Sequence, residues 1–133
     1  MQEDLINSDI QKDYDILLLQ EPYIDSFSNI KAMRGWHVVY PTSHLLGPTP
    51  PRVVILVSTS LDTNSWSQIN IPNTRDLITI KIKGTLGKLT LYNIYNDCQH
   101  LDTTDQLESH LLDYWRGERP DGAEYVMWCG DFN

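Results

Sequence analysis

The sequence predicts a layered α/β or α+β domain built mainly from strands. Three observations point there. Short apolar runs recur along the chain, each closed by proline, glycine or charged residues. Only one stretch, "TTDQLESHLLDYWRG", has strong helical periodicity. A last apolar run, "YVMWCG", follows that helix, so strands lead, one helix comes after them, and a strand closes the order.

Taken in order, "EDLINSDI" spaces Leu5, Ile6 and Ile10 as the end of an amphipathic helix, the tail of a longer one. In "DYDILLLQEPY", Ile16 to Leu19 form a continuous apolar run with acids before it and Pro22 after it. That length and the proline favour a strand buried on both faces. "GWHVVYP", residues 35–41, reads as a second strand, and "TSHLLGPTPP" as a loop rich in proline. "RVVILVS" is a third strand, dense in β-branched residues. "NSWSQINIP" alternates like a half-buried strand.

"DLITIKIKGTLGKLTLYNIYN" is the clearest hairpin. Ile78, Ile80 and Ile82 alternate with polar residues, and Gly84 and Gly87 mark the turn. In the helix, Leu107, Leu111, Leu112 and Trp115 fall on one face. Thr103 and Gln106 have capping-box spacing, and Gly117 is a C-terminal stop.

A chain of 133 residues is about the size of one domain. Its net charge of −8 argues against a generic nucleic-acid-binding module with a basic face. An enzyme that meets phosphates through metal ions remains compatible, because such sites are built from carboxylates. Cys98 and Cys129 make neither a CxxC motif nor a disulfide framework, which suits a reducing, intracellular compartment. No apolar stretch approaches the roughly 18 residues of a membrane span. The acidic start, "MQEDLINSDIQKDYD", reads as neither signal nor transit peptide.

Three apolar runs pass directly into polar residues: "ILLL" into Gln20 and Glu21, "LTLYNIY" into Tyr95 and Asn96, "YVMWCG" into Asp131 and Asn133. Sites in layered folds gather at strand ends. If these are neighbouring central strands running the same way, Glu21, Tyr95, Asp131 and Asn133 meet on one rim. Such a set is coherent for phosphodiester hydrolysis: a carboxylate for Mg²⁺, an acid and an amide to place a water, a phenol to donate to phosphate. Taken singly, each residue has an ordinary explanation as loop, turn or packing chemistry. The four histidines have no HExxH spacing, and His100 and His110 read as solvated. Arg52, Lys81, Lys83 and Lys88 read as scattered, solvated cations unless the fold gathers them.

"DILLLQEPYID", "LYNIYND" and "WCGDFN", in this order, resemble the endonuclease/exonuclease/phosphatase superfamily, the DNase I-like fold. The likeness is greatest to the endonuclease domain of non-LTR retrotransposons of fungal type, and it runs over essentially the whole chain. It implies a four-layer α/β sandwich of two mostly antiparallel sheets with helices outside, of which residues 1–133 would be the N-terminal part, truncated at both ends. It implies that Glu21 binds Mg²⁺ or Mn²⁺, that Tyr95 contacts phosphate, that Asp131 orients or activates the attacking water, and that Asn133 helps hold water and phosphate. Gln20 and Asn93 lie within the motifs without a catalytic role.

The implied activity is nicking of DNA by a nuclear endonuclease of a retrotransposon-type element, with no membrane and no protein partner. The family also has a metal-site asparagine upstream and an Asp-His half downstream that this sequence lacks. The expectation is therefore weak or no activity from these 133 residues alone. The alternatives are a non-catalytic relic or truncated gene product, and a branch acting on phosphoinositides or sphingolipids, which the motif wording disfavours.

Overall fold

The computed structural model describes residues 9–27, 29–31, 34–46, 50–96, 102–115 and 124–131. Their strands form two sheets, mostly antiparallel. The first contains β1 (Ile16–Gln20), β2 (Trp36–Val39) and β3 (Val53–Ser58) in the order β1-β3-β2. The second contains β4 (Trp66–Ile69), β5 (Leu77–Gly84), β6 (Gly87–Tyr95) and β7 (Glu124–Asp131) in the order β4-β5-β6-β7. All pairings are antiparallel except β6 with β7, which is parallel. The helix α1 (Asp102–Trp115) makes that crossover, as a parallel pair requires.

The central strand of the first sheet is β3, and its sequence explains the position. Val53 to Val57 are all fully buried, because both faces of "VVILV" are apolar. Val53, Ile55 and Val57 face the second sheet and pack with Ile78, Ile80 and Leu91. Val54 and Leu56 face outward, under Ile30 and Trp36. β1 follows the same alternation: Ile16 and Leu18 join the inter-sheet cluster, Leu17 and Leu19 the outer one. Each such buried side chain contributes about 1.5–3 kcal/mol of hydrophobic free energy.

The β5–β6 hairpin closes on the Gly84–Gly87 pair, as the sequence predicts. On its outer face Leu77, Tyr92 and Ile94 join Ile71 in a cluster that Leu107 and Leu111 of α1 cover. Leu112, Thr103 and Gln106 depart from expectation, while the side chain of Trp115 lies outside the described residues. Leu112 is 65% exposed, away from the apolar face assigned to it. Thr103 and Gln106 do not form a capping box, because α1 already begins at Asp102. Instead Thr103 Oγ1 donates to Asp76 Oδ2 (3.2 Å) and Gln106 Nε2 to the Asn73 carbonyl (2.8 Å). Both tie the helix to the β4–β5 loop.

His110 is also not solvated. It is half-buried, its ring packs edge-on to Tyr92, and Tyr92 Oη lies 3.2 Å from its Nε2. The N-terminal helix expected over "EDLINSDI" lies mostly outside the described residues; its last two residues fall in a 3-10 turn, Asp9–Lys12. The loop after β2 contains a second such turn, Thr42–Leu46. Gly117, Cys98 and His100 lie outside the described residues. Cys129 is a half-buried free thiol against the inter-sheet cluster. No helix among the described residues is long and apolar enough to cross a membrane.

One buried amide couples the two sheets. Asn93, fully buried on β6, donates from Nδ2 to the carbonyls of Leu19 (3.2 Å) and Val54 (2.9 Å), and its Oδ1 accepts from Gln20 Nε2 (2.6 Å). At the other side of the second sheet, β7 approaches β6 so closely that only glycine fits at position 130. A Cβ there would stand 1.9 Å from the Ile94 carbonyl oxygen, and the φ of +152° disfavours any side chain.

These contacts set three expectations. Asn93→Ala removes three hydrogen bonds between the sheets and leaves the Gln20 amide without its partner, and should cost about 2–3 kcal/mol in urea unfolding. Gly130→Ala should cost at least as much, and hydrogen exchange should accelerate along β7 before the rest of the second sheet. Burial lowers the imidazole pKa of both His110 and His44 from the ordinary 6.5. On acidification the unfolded chain takes up those protons first. Stability present above pH 6.5 should fall as pH drops below it, then level off once the folded imidazoles titrate. A Tm-versus-pH profile should flatten in that window for His44→Asn/His110→Asn.

Candidate functional site

Glu21 follows directly on β1, where the chain must leave the sheet. Its backbone stands at φ +46°, an unusual conformation for a residue with a side chain. The turn is held by Glu21 N donating to the Arg52 carbonyl (2.7 Å), which extends the β1–β3 ladder by one step. Tyr95 is the last residue of β6. Its amide donates to the Asp76 carbonyl (2.9 Å), and its side chain lies on the same face of β6 as Asn93, two residues earlier.

These two residues meet. Tyr95 Oη donates to Glu21 Oε1 at 2.7 Å, across 74 residues of sequence. The meeting differs from the expected one. Glu21 and Tyr95 do not come from neighbouring strands of one sheet; β1 belongs to the first sheet and β6 to the second. The bond spans the open end of the sandwich. Only β6 and β7 are the parallel neighbours expected, and their register pairs Tyr95 with Asp131. Asn96 N donates to the Asp131 carbonyl (2.8 Å) and closes that end of the pair. Glu21, Tyr95 and Asp131 therefore share one rim, while Asn133 lies outside the described residues.

Electrostatics bind the set together. The hydrogen bond to Glu21 raises the Tyr95 phenol above its ordinary 10.0, with desolvation and the Glu21 and Asp131 charges acting in the same sense. Arg52 opposes them. Tyr95 is thus a protonated donor throughout the neutral range.

Two residues given no role by sequence reasoning belong to this rim. Arg52 stands with its guanidinium carbon 5.1 Å from the Tyr95 ring centroid, and Asp76 Oδ1 lies 3.8 Å from its Nε. Arg52 is therefore no scattered, solvated cation. The only signal for it in the sequence is its place at the head of β3, antiparallel to the strand that ends in Glu21. Gln20 and Asn93 bond to each other between the sheets.

The rim is open. A groove of about 570 Å³ between α1 and residues 70–73, and another of about 370 Å³ between β2 and β4, include none of Glu21, Tyr95 and Asp131. Among the described residues, no three His, Cys, Asp or Glu side chains gather as a metal cage. The donor chemistry still fits Mg²⁺ or Mn²⁺, because Mg²⁺ commonly sits on one or two carboxylates and completes its shell with water and substrate phosphate. The exposed Glu21 carboxylate is the group that would hold it.

No protein-family profile and no curated protein matches the chain by sequence. Solved structures do match it by shape. The endonuclease domain of TRAS1, a telomere-specific non-LTR retrotransposon, superposes with a TM-score of 0.61 at 20% identity, over 90% of this chain and 47% of that one. ANGEL2, a 2′,3′-cyclic phosphatase solved with adenosine-2′,3′-vanadate, superposes with a TM-score of 0.53 at 18% identity, over 98% and 43%. The chain spans less than half the length of either structure. Both neighbours share the layout of two mostly antiparallel sheets described above, and this chain has the DNase I-like fold.

Proposed function

We propose that the rim of Glu21, Tyr95 and Asp131 is a metal-dependent phosphodiester-hydrolysing site, and that its substrate is DNA. One observation carries the reading: the 2.7 Å bond from Tyr95 to Glu21 across the sandwich, with Asp131 in register beside Tyr95. Tertiary packing has brought together residues from three distant motifs at one strand-end rim. The fold shared with a retrotransposon endonuclease domain supports a nucleic-acid substrate, and with it the proposal of a nuclear, retrotransposon-type element.

The roles follow from the groups. Glu21 holds the Mg²⁺ or Mn²⁺, which when bound offsets negative charge on the phosphate. Tyr95, kept protonated, donates its hydroxyl hydrogen to a non-bridging phosphate oxygen. Asp131, the carboxylate nearest the end of β7, accepts the proton of the attacking water. Asn133 donates from its amide to the same water or phosphate. An acidic rim on a chain of net charge −8 repels a bare phosphate, so this reading requires the cation.

The test is nicking of supercoiled plasmid. Mg²⁺ or Mn²⁺ should support it, at the weak level expected of these 133 residues alone, and EDTA should abolish it. Glu21→Ala and Asp131→Ala should each lower the rate by about 10³-fold or more. Nicking that survives EDTA, or that both variants retain, sinks the proposal. An adenosine 2′,3′-cyclic phosphate arm runs beside the plasmid, because the fold is shared with a cyclic phosphatase. Turnover of that compound alone would replace DNA as the substrate.

A further inference from the structure

Arg52 joins both halves of the candidate site, by main chain on one side and by side chain on the other. Its carbonyl accepts from Glu21 N (2.7 Å), and its own amide donates to the Arg75 carbonyl (3.0 Å), so the head of β3 sets where Glu21 stands. Its guanidinium covers the Tyr95 ring at 5.1 Å, a distance at which the cation is attracted to the ring face. Asp76 holds it there from Nε at 3.8 Å, and the two side chains are only 28% and 18% exposed. Asp76 is fixed in turn by Thr103 of α1 through Oδ2 (3.2 Å) and by its own amide on Thr74 Oγ1 (3.0 Å). A line of contacts runs from α1 through Asp76 and Arg52 to the Tyr95 ring, and from its hydroxyl to Glu21.

We propose that Arg52 is a positioning residue: stacked on the Tyr95 ring and tethered by Asp76, it holds the Tyr95 hydroxyl on Glu21. The inference rests on reading this rim as a hydrolytic site. Arginine suits the task because its planar guanidinium stacks flat on a ring while its edge meets a carboxylate, whereas the lysine ammonium is a point charge without that planar fork.

Two measurements on the full chain test it. The first needs no activity. In ¹³C-tyrosine-labelled protein, the Tyr95 ring signal is identified by its loss in Tyr95→Phe. Arg52→Gln and Arg52→Lys should both move it toward its position in Glu21→Ala, at unchanged Tm. A Tyr95 signal that stays at its wild-type position in both variants overturns the proposal. If Arg52→Gln fails to fold, Asp76→Asn is read in its place, with the same direction expected.

The second is plasmid-nicking kinetics. Arg52→Gln should lower kcat by about tenfold or more with KM within about twofold, and should cost nothing further in the Tyr95→Phe background. Equal losses in both backgrounds, or a rise in KM alone, would show that Arg52 does not act through Tyr95. If wild type does not nick, the hydrolytic reading fails by itself, and the spectrum still decides the role of Arg52.

Discussion

The structure depends on the fit of one buried amide. Asn93 sits in the middle of an apolar inter-sheet layer, where a polar group without partners would be costly. It avoids that cost by bonding three groups of the opposite sheet, on Leu19, Val54 and Gln20. Hydrophobic contacts alone would hold the two sheets together but allow them to slide. Hydrogen bonds of 2.6 to 3.2 Å do not. Because Asn93 fixes β6 against β1, the residue two positions on, Tyr95, arrives beside the residue that follows Gln20, which is Glu21. The candidate site is the next step of the same register.

Much of this architecture was legible in the sequence, for identifiable reasons. β3 and the β5–β6 hairpin could be read because their patterns are local: an unbroken β-branched run, and alternation around a glycine-marked turn. The strand ends that carry Glu21, Tyr95 and Asp131 could be read as motifs. The distribution of strands between sheets could not, since an apolar run looks alike in either one. That is why the rim was expected along a single sheet and is found across two. Arg52 and Asp76 were illegible because their roles come only from partners far away in sequence. Thr103 was misread for the same reason. A hydroxyl near a helix start suits a cap, but here the half-buried Asp76 carboxylate is the acceptor it reaches.

The acidic character of the rim has a physical logic. Glu21, Asp76 and Asp131 concentrate negative charge where the proposed substrate would bring more. Arg52 offsets part of it, yet that cation is already shared between the Tyr95 ring and Asp76. A site of this kind gains selectivity from its dependence on an added cation. In the proposed reading, phosphate would approach only when the ion is present, and Arg52 would serve geometry in place of binding. The proposed cation would also reconcile a strongly acidic chain with the proposed nucleic-acid substrate, which composition alone sets against each other.

Backbone strain distinguishes the two ends of the site. At Gly130 the φ of +152° and the contact with Ile94 demand glycine, so that residue is explained by packing alone. At Glu21 the φ of +46° is also one that glycine or asparagine would adopt more easily, yet a glutamate stands there. A side chain in such a conformation costs about 1–3 kcal/mol and persists only where the surroundings impose it. Here the surroundings are the Arg52 carbonyl that fixes the amide and the Tyr95 hydroxyl that fixes the carboxylate. Neither contact buries apolar surface, and the Glu21 carboxylate is exposed. What the glutamate supplies is a carboxylate held at a defined place on the rim, and that argues for a chemical rather than a structural role.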